Sequence, residues 1–170
     1  MSLSDFISKI DFWVLDRLFQ PIADWLPERP SAIDVGMNFQ LGALVFSAAS
    51  LIAMVALMLG NFGGVIFNII VWFYWVAFYV GLVRMRGLIR QGFMNPFREM
   101  LKGIRPFSFL FIILSVWQSL SVPSLLFLVA WFNALSNLVF FLGVYLVSCE
   151  VRPKKQKQKV PFGVLEKATR

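Results

Sequence analysis

The chain has 170 residues, 59% of them hydrophobic and 16% aromatic, and it carries a formal net charge of +7. A soluble domain of this size cannot bury so many apolar side chains, so lipid must cover the excess and an ordinary soluble protein is excluded. The sequence has no histidine, the commonest metal ligand and neutral-pH acid–base group, and its single cysteine excludes an intramolecular disulfide.

The first 20 residues predict an amphipathic helix, because apolar residues recur at helical spacing from Leu3 to Leu18, opposite Asp5, Lys9 and Asp16. Such a helix rests on the membrane interface, docks on another protein, or docks on the chain's own basic loop. Its slightly acidic charge leaves only the apolar face to adsorb on anionic lipid. Four apolar residues of this face are predicted to contact a partner: Phe6, Ile10, Trp13 and Leu18.

A proline-rich connector follows this helix. Pro21, Pro27 and Pro30 are expected to break a continuous helix, since proline lacks an amide donor and restricts the residue before it. Residues 1–37 therefore form an arm and a stiff connector. Acidic residues at short intervals in the first 30 positions do not fit a secretory signal peptide.

Residues 41–83 and 106–149 contain no Asp, Glu, Lys or Arg and are 43 and 44 residues long. Each is about twice the roughly 20 residues that an apolar helix needs to cross a bilayer. Hydrocarbon offers no hydrogen-bond partners, so the spanning backbone must form helices or a closed barrel. Continuous apolar runs without the alternation of barrel strands favour helices. We therefore predict an all-α membrane protein with four transmembrane helices arranged as two helical hairpins.

In the first hairpin, residues 38–83, we expect a turn at residues 60–64, where glycine and asparagine tolerate positive φ. The two spans are then residues 38–60 and 64–83. In the second hairpin, residues 106–149, the turn is expected near Pro123. Its spans are predicted at residues 106–120 and 123–149.

A basic linker, residues 84–105, joins the hairpins and carries six bases against one acid. Asn95 and Pro96 predict the start of a short amphipathic helix, and Arg105 followed by Pro106 predicts its end. A basic helix of this kind suits an anionic membrane surface. The basic residues predicted to contact lipid headgroups are Arg84, Arg86, Arg90, Arg98, Lys102 and Arg105.

Charge also predicts orientation. Residues 1–40 carry six acids and three bases, whereas the linker and the tail at residues 150–170 are both strongly basic. Because flanking Lys and Arg are retained in the cytoplasm, we expect the linker and both termini to be cytoplasmic. The tail is too polar to order itself. The tail carries more positive charge than is needed to keep it in the cytoplasm. This excess predicts contact with an acidic partner or anionic lipid at Lys154, Lys155, Lys157 and Lys159.

Polar residues inside the spans are neutral. Coupled carriers and enzymes place ionisable groups, nucleophile–base pairs or phosphate-binding loops at their sites, and no such pattern occurs, so we expect neither catalysis nor a cofactor. The polar residues either hydrogen-bond between helices or line a hydrated path in an oligomer. Together with small residues that allow close helix approach, the candidates are Gly42, Ala49, Ala53, Ala56, Gln118, Asn133, Ser136 and Asn137.

These observations favour a non-catalytic multi-pass subunit, a scaffold or accessory component of a larger membrane complex, in a bacterial inner membrane. Expected partners are anionic lipid and other membrane or cytosolic subunits in a homo- or hetero-oligomer; with little aromatic surface in the tail, nucleic acid is disfavoured. The alternative is a homo-oligomeric pore or membrane-disrupting effector regulated by a cytosolic partner. Two uncharged hairpins with both ends on one side also resemble the pattern of reticulon-type membrane-shaping proteins, which implies membrane shaping as a third function.

Overall fold

The computed structural model describes residues 3–27, 30–57, 62–89 and 93–151, and this part of the chain contains helices, turns and coil but no strand. Four helices are long and apolar enough to cross a membrane, which confirms the predicted all-α membrane class. The chain is therefore an integral membrane protein. In chain order the α-helices are α1 (Leu3–Val14), α2 (Gln20–Trp25), α3 (Ala32–Leu57), α4 (Phe62–Met85), α5 (Pro96–Met100), α6 (Ile104–Ser121) and α7 (Phe127–Val147).

The arm, residues 3–25, is helical past the point where Pro21 was expected to end it. A π-helical segment, Leu15–Phe19, joins α1 to α2, and the Gln20 N–H donates to the Leu15 carbonyl five residues earlier. Proline in a regular helix clashes with the carbonyl four residues before it. The wider π turn accommodates Pro21 in the first turn of α2, so the prediction of a break at this proline is wrong.

The first membrane helix, α3, begins at Ala32 and not at residue 38. Ser31 and Asp34 form a reciprocal cap: the Asp34 N–H donates to Ser31 Oγ at 3.3 Å, and the Ser31 N–H donates to the Asp34 carboxylate at 2.9 Å. This capping box satisfies amides that have no intrahelical acceptor. The turn predicted at residues 60–64 lies partly outside the described residues, and α4 begins at Phe62.

The linker forms the predicted short helix, with Pro96 in its first turn and the Asn95 side chain accepting from the Phe97 N–H at 3.0 Å. Pro106, by contrast, does not end this helix. It lies in the first turn of α6, which begins at Ile104. The missing amide of a proline costs nothing in a first turn, so the sequence Arg105-Pro106 marks a helix start.

Helices α3 and α7 pack most closely and form the centre of the molecule, with α4 against α3 and α6 against α7. Helix α3 runs antiparallel to α7, since Gly36 lies against Val147 whereas Ser50 bonds to Val129. We call the end of these helices near Asp34, Met85, Arg105 and Val147 the basic end. The opposite end, near Leu57, Phe62, Ser121 and Phe127, is the tip end.

The buried core lies at the basic end. One apolar cluster there joins Ile33 and Met37 of α3 to Phe97 and Leu101 of the linker and to Val144 of α7. A second cluster packs the arm against the last turn of α7. Arm, linker and membrane helices thus converge on the segment at residues 140–149.

Candidate functional site

A buried ion pair ties the arm to the membrane helices. Arg105 and Asp11 are 0% and 2% exposed, and the guanidinium donates from Nε to Asp11 Oδ1 at 2.9 Å and from Nη2 to Oδ2 at 2.6 Å. Tyr145 donates its hydroxyl proton to Asp11 Oδ1 at 3.0 Å, and Arg105 Nη1 donates to the Arg98 carbonyl at 2.7 Å. Asp11 therefore fixes α1 on the ends of α6 and α7.

This geometry corrects the prediction that Arg105 contacts lipid headgroups. Its guanidinium is enclosed by protein and engaged by Asp11 and a backbone carbonyl, so no face is free for a phosphate. Burying two charges is costly, and their attraction offsets that cost only when the remaining hydrogen-bonding atoms are satisfied. Both conditions hold here, because the pair is bidentate and has additional partners.

Two amide side chains, one from the linker and one from the arm, form hydrogen bonds with the backbone at the end of α7. Asn95 Nδ2 donates to the carbonyls of Val147 at 2.6 Å and Cys149 at 2.8 Å. Gln20 donates to the Glu150 carbonyl at 3.1 Å and accepts the Glu150 N–H at 2.9 Å. The last carbonyls of a helix lack intrahelical donors, so linker and arm together cap α7.

Aromatic packing and a cluster of ion pairs also hold the arm against the linker and the end of α7. Phe19 stacks on the Tyr145 ring with centroids 4.7 Å apart. Arg98 pairs with Asp16 at 2.7 Å and with Glu150 at 3.4 Å, and its guanidinium lies over the Phe12 ring. The arm thus docks on the chain's own basic linker, one of the three alternatives that its sequence left open.

The other predicted headgroup residues have different environments. Arg84 and Arg86 are exposed, and Arg86 pairs with Asp34. Lys102 is half-buried with its Nζ 5.2 Å from the centroid of the Phe12 ring. Arg90 lies outside the described residues, as do all four predicted contact lysines of the tail, Lys154, Lys155, Lys157 and Lys159.

The predicted partner-contact residues of the arm lie away from the bundle. Phe6, Ile10, Trp13 and Leu18 are 51%, 47%, 58% and 49% exposed, whereas Asp11, Leu15 and Phe19 are buried. The docked arm therefore presents an apolar face, and we define this arm face as Phe6, Ile10, Trp13 and Leu18. Its role in contact with a partner stays a prediction.

Cys149 follows α7 and is fully buried, with its thiol 3.3 Å from the Tyr145 carbonyl. Burial raises the pKa of this thiol to about 12, because removal from water penalises the thiolate. Cys149 is therefore an inert packing residue in the folded protein, as expected for a small buried thiol.

The predicted packing residues divide between the helix interface and an internal cavity. Gly42 of α3 packs against α7, since a Cβ at this position would lie 3.4 Å from Val139. Ser136 Oγ of α7 donates to the Ala43 carbonyl of α3 at 2.8 Å. Ala49 and Ala53 are half-buried and Ala56 is exposed. Ser136 therefore joins α7 to α3 by a hydrogen bond.

The closest approach of α3 and α7 involves residues that sequence reasoning missed. A Cβ on Gly36 would lie 2.8 Å from the Val147 backbone nitrogen, and one on Gly143 would lie 2.6 Å from Gln40 Nε2. Gln40 donates across this contact to the Phe140 carbonyl at 3.0 Å. Gly36 and Gln40 are four residues apart on one helix face, a spacing that could have revealed this polar, small-residue seam.

Two of the predicted polar residues, Asn133 and Asn137, line a partly open cavity of about 130 Å³ formed by α3, α4 and α7 with Phe111 of α6. Gln118 lies outside this cavity, in a wider groove at the tip end that also contains Asn133. Their predicted role as pore-lining residues in an oligomer stays a prediction.

No family model, characterised protein or solved structure matches this chain. Among the residues that the structure describes, no group of three or more His, Cys, Asp or Glu side chains is placed to hold a metal ion.

Proposed function

We propose that this protein is a non-catalytic membrane subunit that docks a second protein on the arm face. The observation that carries the proposal is the contrast within one helix: Asp11 is locked in a buried ion pair, while Trp13 two residues later is 58% exposed. A helix held in place from one side presents its other side without further ordering, which lowers the entropic cost of binding.

The chemistry of the arm face fits a protein partner. Trp13 and Phe6 offer large, rigid apolar surfaces, and aromatic residues of this kind dominate the energetics of protein interfaces. The acidic residues Asp11 and Asp16 are directed instead to Arg105 and Arg98. The exposed surface of the arm therefore combines the four apolar side chains of the arm face with the exposed charged residues Asp5, Lys9 and Arg17.

The proposed location is a bacterial inner membrane with both termini in the cytoplasm. The distribution of charge supports this location. The basic end holds Arg84, Arg86, Arg98, Lys102 and Arg105, whereas residues 41–83 and 106–149, which include the turns at the tip end, carry no charge. Positive flanks of this kind stay on the cytoplasmic side. The partner would then be reached from the cytoplasmic interface, and exposed Arg84 would contact anionic lipid.

Site-specific photocrosslinking tests the docking surface. A benzoylphenylalanine at Phe6, Ile10 or Trp13 of the full chain in native membranes is expected to give one common protein adduct. The matched control is the same label at Phe73, which is 61% exposed on the membrane helix α4 and is expected to give lipid adducts. Lipid adducts alone from all three arm positions would show that the arm face rests on the membrane and would overturn the proposal.

A further inference from the structure

The cavity between α3, α4 and α7 combines neutral polar groups with aromatic walls. Its polar lining comes from Gln40, Ser47, Ser50, Asn68, Asn133, Ser136 and Asn137, and its apolar lining includes Trp72, Trp75, Phe78, Phe111 and Phe140. No charged side chain lines it within the part of the chain described. The cavity therefore suits an uncharged molecule that is polar in one part and apolar in another.

Several polar side chains of this lining are already engaged. Gln40 donates to the Phe140 carbonyl, Ser136 to the Ala43 carbonyl and Ser50 to the Val129 carbonyl, at 3.0, 2.8 and 3.0 Å. The side-chain amides of Asn133 and Asn137, in contrast, have no hydrogen-bond partner among the described residues. They are the groups available to a ligand.

The side-chain amide of Asn137 lies near the middle of the membrane. It lies ten residues after Phe127, the first residue of α7, and at about 1.5 Å per residue this places it about 15 Å from the tip end. A hydrocarbon core is about 30 Å thick, so the amide is near its middle. Asn137 is half-buried and Asn133 is exposed. Hydrocarbon offers these amides no hydrogen-bond partner, so a polar occupant of the cavity would stabilise them.

The cavity adjoins a groove at the tip end of the helices. Helix α4 packs on α3 and α6 packs on α7, but α4 and α6 do not pack extensively on each other. A groove of about 600 Å³ at the tip end shares Ser50, Met54, Asn68 and Asn133 with the cavity. A chain-bearing molecule can therefore place its head at Asn137 while its tail leaves between α4 and α6.

We propose that this cavity binds a neutral lipid whose head consists of hydroxyl or ester carbonyl groups. The Asn133 and Asn137 amides bond the head, since an amide both donates and accepts. The aromatic walls contact the first carbons of the chain. The cavity volume of about 130 Å³ restricts the buried head to a small group. This inference does not depend on the docking role of the arm.

Photolabelling of the full chain in phosphatidylcholine vesicles tests the proposal. Three probes carry the same diazirine acyl or alkyl chain: a diacylglycerol, a long-chain alcohol and a phosphatidylglycerol. Diacylglycerol, the alcohol, or both are expected to label cavity residues at 68–79 and 133–140, and excess unlabelled probe should compete. Labelling by only one neutral probe identifies which head chemistry is recognised, while the phosphatidylglycerol should label only the outer helix surfaces.

Substitution of the open amides supplies the decisive comparison. Asn137→Leu and, separately, Asn133→Leu should each reduce cavity labelling about tenfold with unchanged helical content. The matched control is Asn38→Leu, an exposed asparagine of α3 outside the cavity, which should leave labelling unchanged. Equal labelling by the charged probe, or no effect of either cavity variant, would overturn the proposal. A Ser47→Cys variant gives a further check. If its thiol reacts with a charged water-soluble maleimide while no neutral probe labels the cavity, the cavity holds water and the proposal is overturned.

Discussion

At the scale of single residues, Arg105 has the most consequential environment in the molecule. In the sequence it is one of six linker bases, yet it is fully buried and bonded to Asp11, 94 residues earlier. An exposed ion pair contributes little to stability, whereas removing one partner of a buried pair leaves an uncompensated charge. The Arg105–Asp11 pair should therefore contribute far more to stability than the exposed Arg86–Asp34 pair.

Replacing Asp11 with alanine should destabilise the protein by about 3 to 5 kcal/mol, because Arg105 would stay buried without its counterion. The free energy of unfolding in detergent, measured by denaturant titration, checks this. The double variant Asp11→Leu/Arg105→Met should recover much of the loss, since no unpaired charge remains. Arg86→Gln is the control and should cost less than about 1 kcal/mol, as the Arg86 side chain is 56% exposed. Equal effects of Asp11→Ala and Arg86→Gln would contradict the prediction.

At the scale of elements, the α3–α7 contact organises the membrane region. Lipid tails are as apolar as leucine, so helices in a membrane associate through close packing and interhelical hydrogen bonds. Gly36 and Gly143 supply the close approach, and Gln40, Ser50 and Ser136 supply hydrogen bonds along it. Helices α4 and α6 flank this pair, and the cavity lies between α4 and the α3–α7 pair.

Gly143→Ala should separate α3 from α7 and destabilise the fold by about 1 to 3 kcal/mol, because overpacking forces backbone shifts. The added Cβ would lie 2.6 Å from Gln40 Nε2 and 2.9 Å from the Gly36 carbonyl oxygen. Gly81→Ala in α4 is the matched control. Its Cβ would meet nothing within 4 Å, and alanine favours helix by up to about 1 kcal/mol. If unfolding measurements rank Gly81→Ala as the more damaging change, the packing argument fails.

At the scale of the whole molecule, cationic residues and buried polar networks are gathered at one end. Arm, linker and the last turn of α7 form a compact layer there, with Asp11, Asp16 and Asp34 paired to the linker residues Arg105, Arg98 and Arg86 respectively. The tip end holds the groove and carries no charge in the described residues near it. This asymmetry supports the proposal that the basic end is cytoplasmic.

Cysteine labelling tests that orientation with the native thiol in place, since buried Cys149 has a pKa of about 12 and should not react. Gly63→Cys at the tip end and Gly87→Cys at the basic end are suitable because neither position has a neighbour within 4 Å of a Cβ. With a membrane-impermeant maleimide, the cysteine at position 63 should react in intact cells and that at position 87 only after lysis. Labelling of both in intact cells would refute the proposed topology.

The membrane class, the four long helices, the amphipathic arm and the Asn95 cap follow from the sequence alone. They depend on hydrophobicity, periodicity and local hydrogen bonds, which act over one helix turn or along one span. Only the tertiary structure decided that Pro21 continues a helix, that Arg105 is buried against Asp11, and that Asn137 faces a cavity. Those outcomes depend on which distant helices meet, and side-chain chemistry read along the chain does not specify such long-range pairing.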